Sequence, residues 1–551
     1  MSSSNIPRTT REAGLQDASQ EFDAFHEIFT PIQLPCGRTI PNRLVKASLY
    51  EHLSTFWGGP PNTDHLGLYS HWAYGGWGMV LTGNIQVKGD HLTLGRDLAV
   101  PQDVDSQQAQ KPFRELAGVI HGKIQHTDRS DDNGTGNDNL AIMQLSHAGR
   151  QSTTFFGGRS LFKPPLAPSA IPVQLKPSHA RKQSVFSKLI SRALFQVPRA
   201  MTGGDINDVV EAFVRGAQLA ERSGFDGVEV HAAHGYLVAE FISPESNQRT
   251  DSYSALTDPL RFLRRIVSAI RTSGVVPKDF VVGVKLNAAD YVRSDGNDET
   301  RVLGHVKEIA EWGMVDFIEV SGGSYETPDF MLAIDSTEQK SSNNREALFA
   351  RFSHRARAAL LSSSSSSSQI ATDQISYHRP LIMLTGGLNT PSLMMSALSN
   401  GHADLLGIGR LSVEIPYLPR VLAESGGTIP PASPPPISLR LLDRALIILE
   451  VWIRALWSFI PSALRPQFPP LIGAGVGVAA YQVAMRKLAG MPVRPRVSER
   501  MVNVDPKWVD VMRLWAFVAP GPWTTRMVDV HIWLGVIGAV VIGVCWVVMC
   551  S

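Results

Sequence analysis

The sequence predicts an α/β protein built as a closed (β/α)8 barrel, with a C-terminal helical extension ending in one transmembrane helix. Three observations carry this. Short, β-branched apolar runs recur at residues 44–45, 79–81, 141–143, 228–230, 281–284, 317–320, 381–384 and 405–408. Helical patterns at 206–223, 259–271, 301–312 and 392–400 separate several of them. An uncharged apolar stretch at 530–550 lies at the end of the sequence.

Strands alternating with helices require a parallel sheet with helical crossovers. Eight such units suit a closed barrel. An open, doubly wound sheet is the rival, because periodicity does not report closure. Of the 551 residues, 1–24 are polar and read as a flexible N-terminal segment without the apolar core of a secretory signal. The barrel occupies 25–425, and the Pro-rich stretch 426–436 reads as a linker. Residues 437–527 form a separate, partly amphipathic helical extension. Its 441–460 stretch carries Asp443, Arg444, Glu450 and Arg454, which favours a helix lying on protein or membrane over a second span. The 127–138 and 362–368 stretches read as solvated loops, and 176–196 as a basic amphipathic insertion.

About 20 residues of helix cross a bilayer core, so 530–550 reads as a tail anchor. Lys507, Arg513 and Arg526 upstream leave the barrel facing the cytosol. The 52 basic and 50 acidic residues give a net charge of +2, which supplies no general reason to bind nucleic acid. Three cysteines exclude a disulfide framework and a cysteine-ligated iron–sulfur cluster.

Barrel chemistry sits at the C-terminal ends of the strands. Polar residues cluster there: Lys46, Ala47, Ser48, Tyr50 and Glu51 after the first strand, Asn84 after the second, Gln144 on the third, His231 to Tyr236 after the fourth and Lys285 on the fifth. Glycines follow the last three: Ser321-Gly322-Gly323, Gly386-Gly387 and Gly409-Arg410. Together they let backbone N–H groups approach a phosphate, with Arg410 adding a charged contact. His231 and His234, three apart, could ligate a metal if helical, but a catalytic site needs a third ligand and Glu240 falls on another helical face. No metal is expected.

Several stretches together resemble the old yellow enzymes, FMN-dependent NAD(P)H:flavin oxidoreductases. They are PNRLVKA at 41–47, QLSHAGRQ at 144–151, HAAHGYLVAEFISPESNQRTD at 231–251 and ADLLGIGR at 403–410. The resemblance runs from about residue 25 to 420. It implies FMN as cofactor, NADH or NADPH as reductant and an enone-type small-molecule substrate. It assigns Gln144 to the pyrimidine edge of the flavin, Lys285 to the flavin N1/O2 side and Tyr50 to the neighbourhood of C4/O4. His231 and His234 match a pair that grips a substrate carbonyl, and Tyr236 matches the phenol that protonates the α-carbon. Lys285 stands where many relatives carry arginine, and Tyr50 where they carry threonine or cysteine. Two other readings stay open: a catalytically weak flavin binder with Tyr50 in the pocket, and a metal-dependent barrel hydrolase.

Overall fold

The computed structural model describes residues 25–123, 138–173, 192, 194–287, 297–321, 350–361, 379–429 and 481–493. Eight parallel strands follow one another around a ring: β1 (Leu44–Lys46), β2 (Met79–Leu81), β3 (Leu140–Ser146), β4 (Gly227–Ala232), β5 (Val281–Asn287), β6 (Phe317–Ser321), β7 (Leu381–Thr385) and β8 (Leu405–Ile408). Pairing of Leu406 with Leu44 joins β8 to β1, which closes the barrel and removes the open-sheet rival. The eight runs expected from sequence fall on these eight strands, lengthened by one residue at β1, β6 and β7 and by more at β3, β4 and β5.

Helices cross between them: α1 (Thr63–Tyr74), α2 (Gln107–Ile120), α3 (Gly203–Arg222), α4 (Arg261–Thr272), α5 (Asn297–Glu311), α6 (350–361) and α7 (Pro391–Ser399), with α8 (Leu418–Ser425) after β8. Reciprocal capping boxes start two of them. Asn62 accepts from the His65 N–H ahead of α1, and Thr202 accepts from the Asp205 N–H ahead of α3.

Alternation along each strand sorts side chains into an outer and an inner set. Leu44, Val80, Val228, Val282, Ile318 and Leu406 point outward into the core shared with the helices. Val45, Met79, Ile142, Val281, Phe317 and Met383 fill the barrel floor. The Phe317 ring lies over Gly283, its register partner on the neighbouring strand, where an added Cβ would meet the ring at 2.1 Å. Glycine at 283 is therefore a packing requirement.

The extension meets the barrel. A helix at 481–489, in the region set apart by sequence as a separate extension, packs directly on the barrel wall through Val483, Ala484, Met485 and Leu488, all buried. Burial of such side chains contributes about 1.5–3 kcal/mol for each large one. The Pro-rich linker signals a break in regular structure, and it says nothing about where the chain goes afterwards. No helix among the described residues is long and apolar enough to cross a membrane. The 530–550 stretch, the 127–137 and 362–368 loops and most of the 176–196 insertion lie outside the described residues.

Candidate active site

The inner positions change character as each strand climbs. Ile142 gives way to Gln144 on β3, Gly227 to Glu229 and His231 on β4, and Val281 to Gly283 and Lys285 on β5. On β6 Phe317 gives way to Glu319 and Ser321, and on β7 Met383 is followed by Thr385. An apolar floor thus carries a polar mouth at the C-terminal ends, in the register that pairs Gln144 with Glu229, His231 with Lys285 and Lys285 with Glu319.

These residues form one hydrogen-bonded chain. Ser48 Oγ donates to Gln144 Oε1 at 2.7 Å, and Gln144 Nε2 donates to Glu229 Oε2 at 2.5 Å. The amide orientation of Gln144 is thereby fixed by both neighbours. At the other end Lys285 Nζ binds Glu319 Oε1 at 2.7 Å, with both side chains buried. Burial holds the Glu229 carboxyl well above the usual carboxylate range, the charge of Glu319 adds to the rise, and Lys285 opposes it. Glu229 Oε1 and Glu319 Oε2 are buried with no other donor. Burial and the neighbouring Glu319 carboxylate thus both favour the neutral form of Glu229.

His231 and His234 stand at the same level. The N–H of Ala233 donates to His231 Nδ1 at 3.2 Å, which leaves the ring proton on Nε2. His231 Nε2 lies 3.2 Å from His234 Nδ1, and His234 Nε2 lies 3.3 Å from Ser321 Oγ. The rings thus hydrogen-bond in series, where two N–H groups converging on one point were expected. Desolvation by burial drives His234 down to about 3 and lowers His231 well below its usual value, with the other charges nearby acting the same way. Both rings are neutral at physiological pH. His234 has φ +59°, an uncommon value outside glycine, and Gln151 Nε2 binds its carbonyl at 2.8 Å.

Tyr236 is buried, and its ring packs edge-on to His231 with centroids 4.8 Å apart. Asn84 Nδ2 donates to the Tyr236 hydroxyl at 3.0 Å. The phenol oxygen thus accepts from the amide. Asn84, which sequence places among the polar residues at the strand ends, has this contact to the phenol.

Tyr50 is turned toward the 94–97 segment, where its hydroxyl donates to Gly95 O and accepts from Leu94 N, each at 3.3 Å. Beneath this loop Lys46 and Glu51, placed at the mouth by sequence, form instead a buried charge cluster with Tyr69, which the sequence did not single out. Lys46 is fully buried, with Nζ donating to Leu81 O at 2.9 Å and lying 3.9 Å from the Trp72 ring centroid. Burial lowers its pKa to about 8, against the opposing pull of Glu51. Lys46 has the outward parity of Leu44, so it faces α1 and stands outside the mouth. Tyr69 of α1 donates to Glu51, and Gly83 N donates to both Tyr69 OH and Glu51.

Glycine turns follow the last two strands. Gly386 and Gly387 follow β7 with φ +120° and +74°, the region that turns successive N–H groups outward. Thr385 Oγ1, just before them, is buried without a hydrogen-bond partner. Gly409 and the exposed Arg410 follow β8, and Ala47 N donates to Ile408 O at 3.0 Å, which brings the first and last loops together. Ser321, grouped by sequence with the phosphate turns, meets His234 instead, and Gly323 lies outside the described residues. Glu240 turns from the histidines to accept from Arg150 N at 2.9 Å. Among the described residues no three His, Cys, Asp or Glu side chains are grouped to hold a metal ion.

A two-way amide, a buried cation, a neutral imidazole pair and a glycine turn preceded by an orphan hydroxyl form a donor set that fits FMN. Residues 27–426 match the model of the NADH:flavin oxidoreductase / NADH oxidase family. The chain belongs to this family. It is an oxidoreductase that uses FMN with NADH or NADPH. An NADH-dependent flavin oxidoreductase of Neonectria is 33% identical over 86% of the chain, which spans 57% of that protein's length. One of the same description from Hypocrea jecorina is 34% identical over 71% of the chain and 88% of its own length. Among solved structures, an old yellow enzyme homologue from Zymomonas mobilis superposes with a TM-score of 0.51 at 21% identity, covering 72% of this chain and 93% of that one. That likeness speaks for the barrel fold, and the family assignment rests on the sequence matches.

Proposed function

We propose that this family member reduces the C=C bond of an α,β-unsaturated carbonyl compound. The observation that carries the reading is the cluster of His231, His234 and Tyr236 at the end of β4, with the phenol oxygen accepting from Asn84. Gln144, Lys285, Ala47 and Ser48 would hold the flavin ring, and Gly386, Gly387, Gly409 and Arg410 its phosphate. Bound FMN, once reduced by NADH or NADPH, supplies the hydride. The residues of the chain do the rest. The N–H groups of His231 and His234, now spent on each other and on Ser321, would be taken by the substrate carbonyl oxygen and stabilise its developing enolate charge. Tyr236 gives its hydroxyl proton to the α-carbon, while the Asn84 amide stabilises the phenolate left behind.

With His234 neutral down to about 3, the enone half-reaction is expected to be flat between pH 5 and 8. Stopped-flow reoxidation across that range checks this, and an inflection near the ordinary histidine pKa of about 6.5 would contradict a neutral pair. Incubation with NADH and 2-cyclohexenone under nitrogen tests the reaction itself. Stoichiometric cyclohexanone is the expected product. NADH consumption that needs oxygen and yields no saturated ketone would favour the weaker reading of an NADH oxidase. The 530–550 stretch supports a further part of the proposal, a membrane anchor that keeps the barrel on the cytosolic face. Release of the full chain from membranes by alkaline carbonate would count against it.

A further inference from the structure

The helix at 481–489 touches the two loops that flank the closure of the barrel. Its Tyr481 ring lies 5.9 Å from the Arg410 guanidinium, and the Tyr481 hydroxyl donates to Glu414 Oε1 at 2.9 Å. The adjacent Gln482 Nε2 donates to Tyr50 O at 3.4 Å, and one turn further on Arg486 donates to His52 O at 3.2 Å. Those two carbonyls belong to the loop after β1, in which His52 is held at φ +57°. The same segment is tied down elsewhere: His71 of α1 bonds Met491 O at 3.1 Å, and Gly67 approaches Ala489 O so closely that a Cβ there would lie 2.2 Å from it.

We propose that helix 481–489 is a cofactor-retaining strap, which holds Arg410 and the loop after β1 in the arrangement that binds FMN. The proposal rests on reading the turns after β7 and β8 as the phosphate site. Its physical content is preorganisation. An exposed arginine samples many rotamers, and fixing its guanidinium over a ring removes part of the entropy cost of gripping an anion. Donors to Tyr50 O and His52 O do the same for a backbone that is otherwise strained. A region that has no place in the barrel itself thereby becomes part of the binding site, with Tyr481, Gln482 and Arg486 as positioning residues.

The test uses the full chain stripped of flavin, titrated with FMN by the quenching of flavin fluorescence, with thermal melts of each apo-protein alongside. Tyr481→Ala is expected to weaken FMN binding by about tenfold, and Tyr481→Phe, which keeps the ring, by no more than about threefold. The double variant Gln482→Ala/Arg486→Ala is expected to weaken it independently of Tyr481. Unchanged FMN affinity in both Tyr481→Ala and the double variant would overturn the strap. So would a drop in apo-protein melting temperature without any change in affinity, the mark of a purely structural helix. A parent chain that takes up no FMN would overturn the function reading and the strap together, so the two failures are told apart.

Discussion

Tyr236→Phe is expected to slow reoxidation of the reduced enzyme by an enone by about 100-fold or more, the usual range for loss of a positioned general acid. Reduction by NADH should change little, because no proton is delivered to a carbon centre in that half-reaction. The variant removes one hydroxyl from a buried ring whose packing against His231 persists. It also leaves the Asn84 amide without its acceptor. That loss costs about 1 kcal/mol, too little to unfold the barrel. Stopped-flow measurement of each half-reaction separates the outcomes. Equal slowing of both would point to a disturbed flavin site and contradict the proton-donor role.

The second large effect is expected at Lys285. Its ammonium is one half of a buried pair, 2.7 Å from Glu319, beside a Glu229 whose carboxyl burial holds well above the usual range. Lys285→Met would leave Glu319 buried without its cation, and such losses cost about 3–5 kcal/mol. Denaturant unfolding should register that drop. The midpoint potential of the flavin should also fall, since a positive charge that favours the reduced anion has gone. The double variant Lys285→Met/Glu319→Gln separates the two roles. It should recover most of the stability, because no unpaired charge remains, without recovering the potential. Recovery of both would mean that Lys285 is a structural ion-pair partner only.

Much of this site was legible from sequence because parallel barrels obey two simple periodicities. Apolar runs located the strands, and the residue at the C-terminal end of each was a candidate. Gln144, His231 and Lys285 all have the inward parity of the barrel floor. Glu229 and Glu319 share that parity, yet each lies inside an apolar run and reads as an interruption of a strand. Only the register that sets Glu229 beside Gln144 and Glu319 beside Lys285 gives them a role. The Lys46–Glu51–Tyr69 cluster depends on a loop folding back under α1, which no local pattern announces. The phenol of Tyr50 turned to the 94–97 segment, and helix 481–489 returned to the barrel across a break in sequence pattern. Both are tertiary choices made by hydrogen-bond partners far away in the chain.

The most direct test of the whole account is an anaerobic titration of the purified full chain, followed by its visible spectrum. One FMN per chain, bleaching by NADH or NADPH, and return of the yellow colour on addition of one equivalent of an enone are expected. A colourless chain that cannot be reconstituted with FMN, or a bleached one that no enone restores, would contradict it.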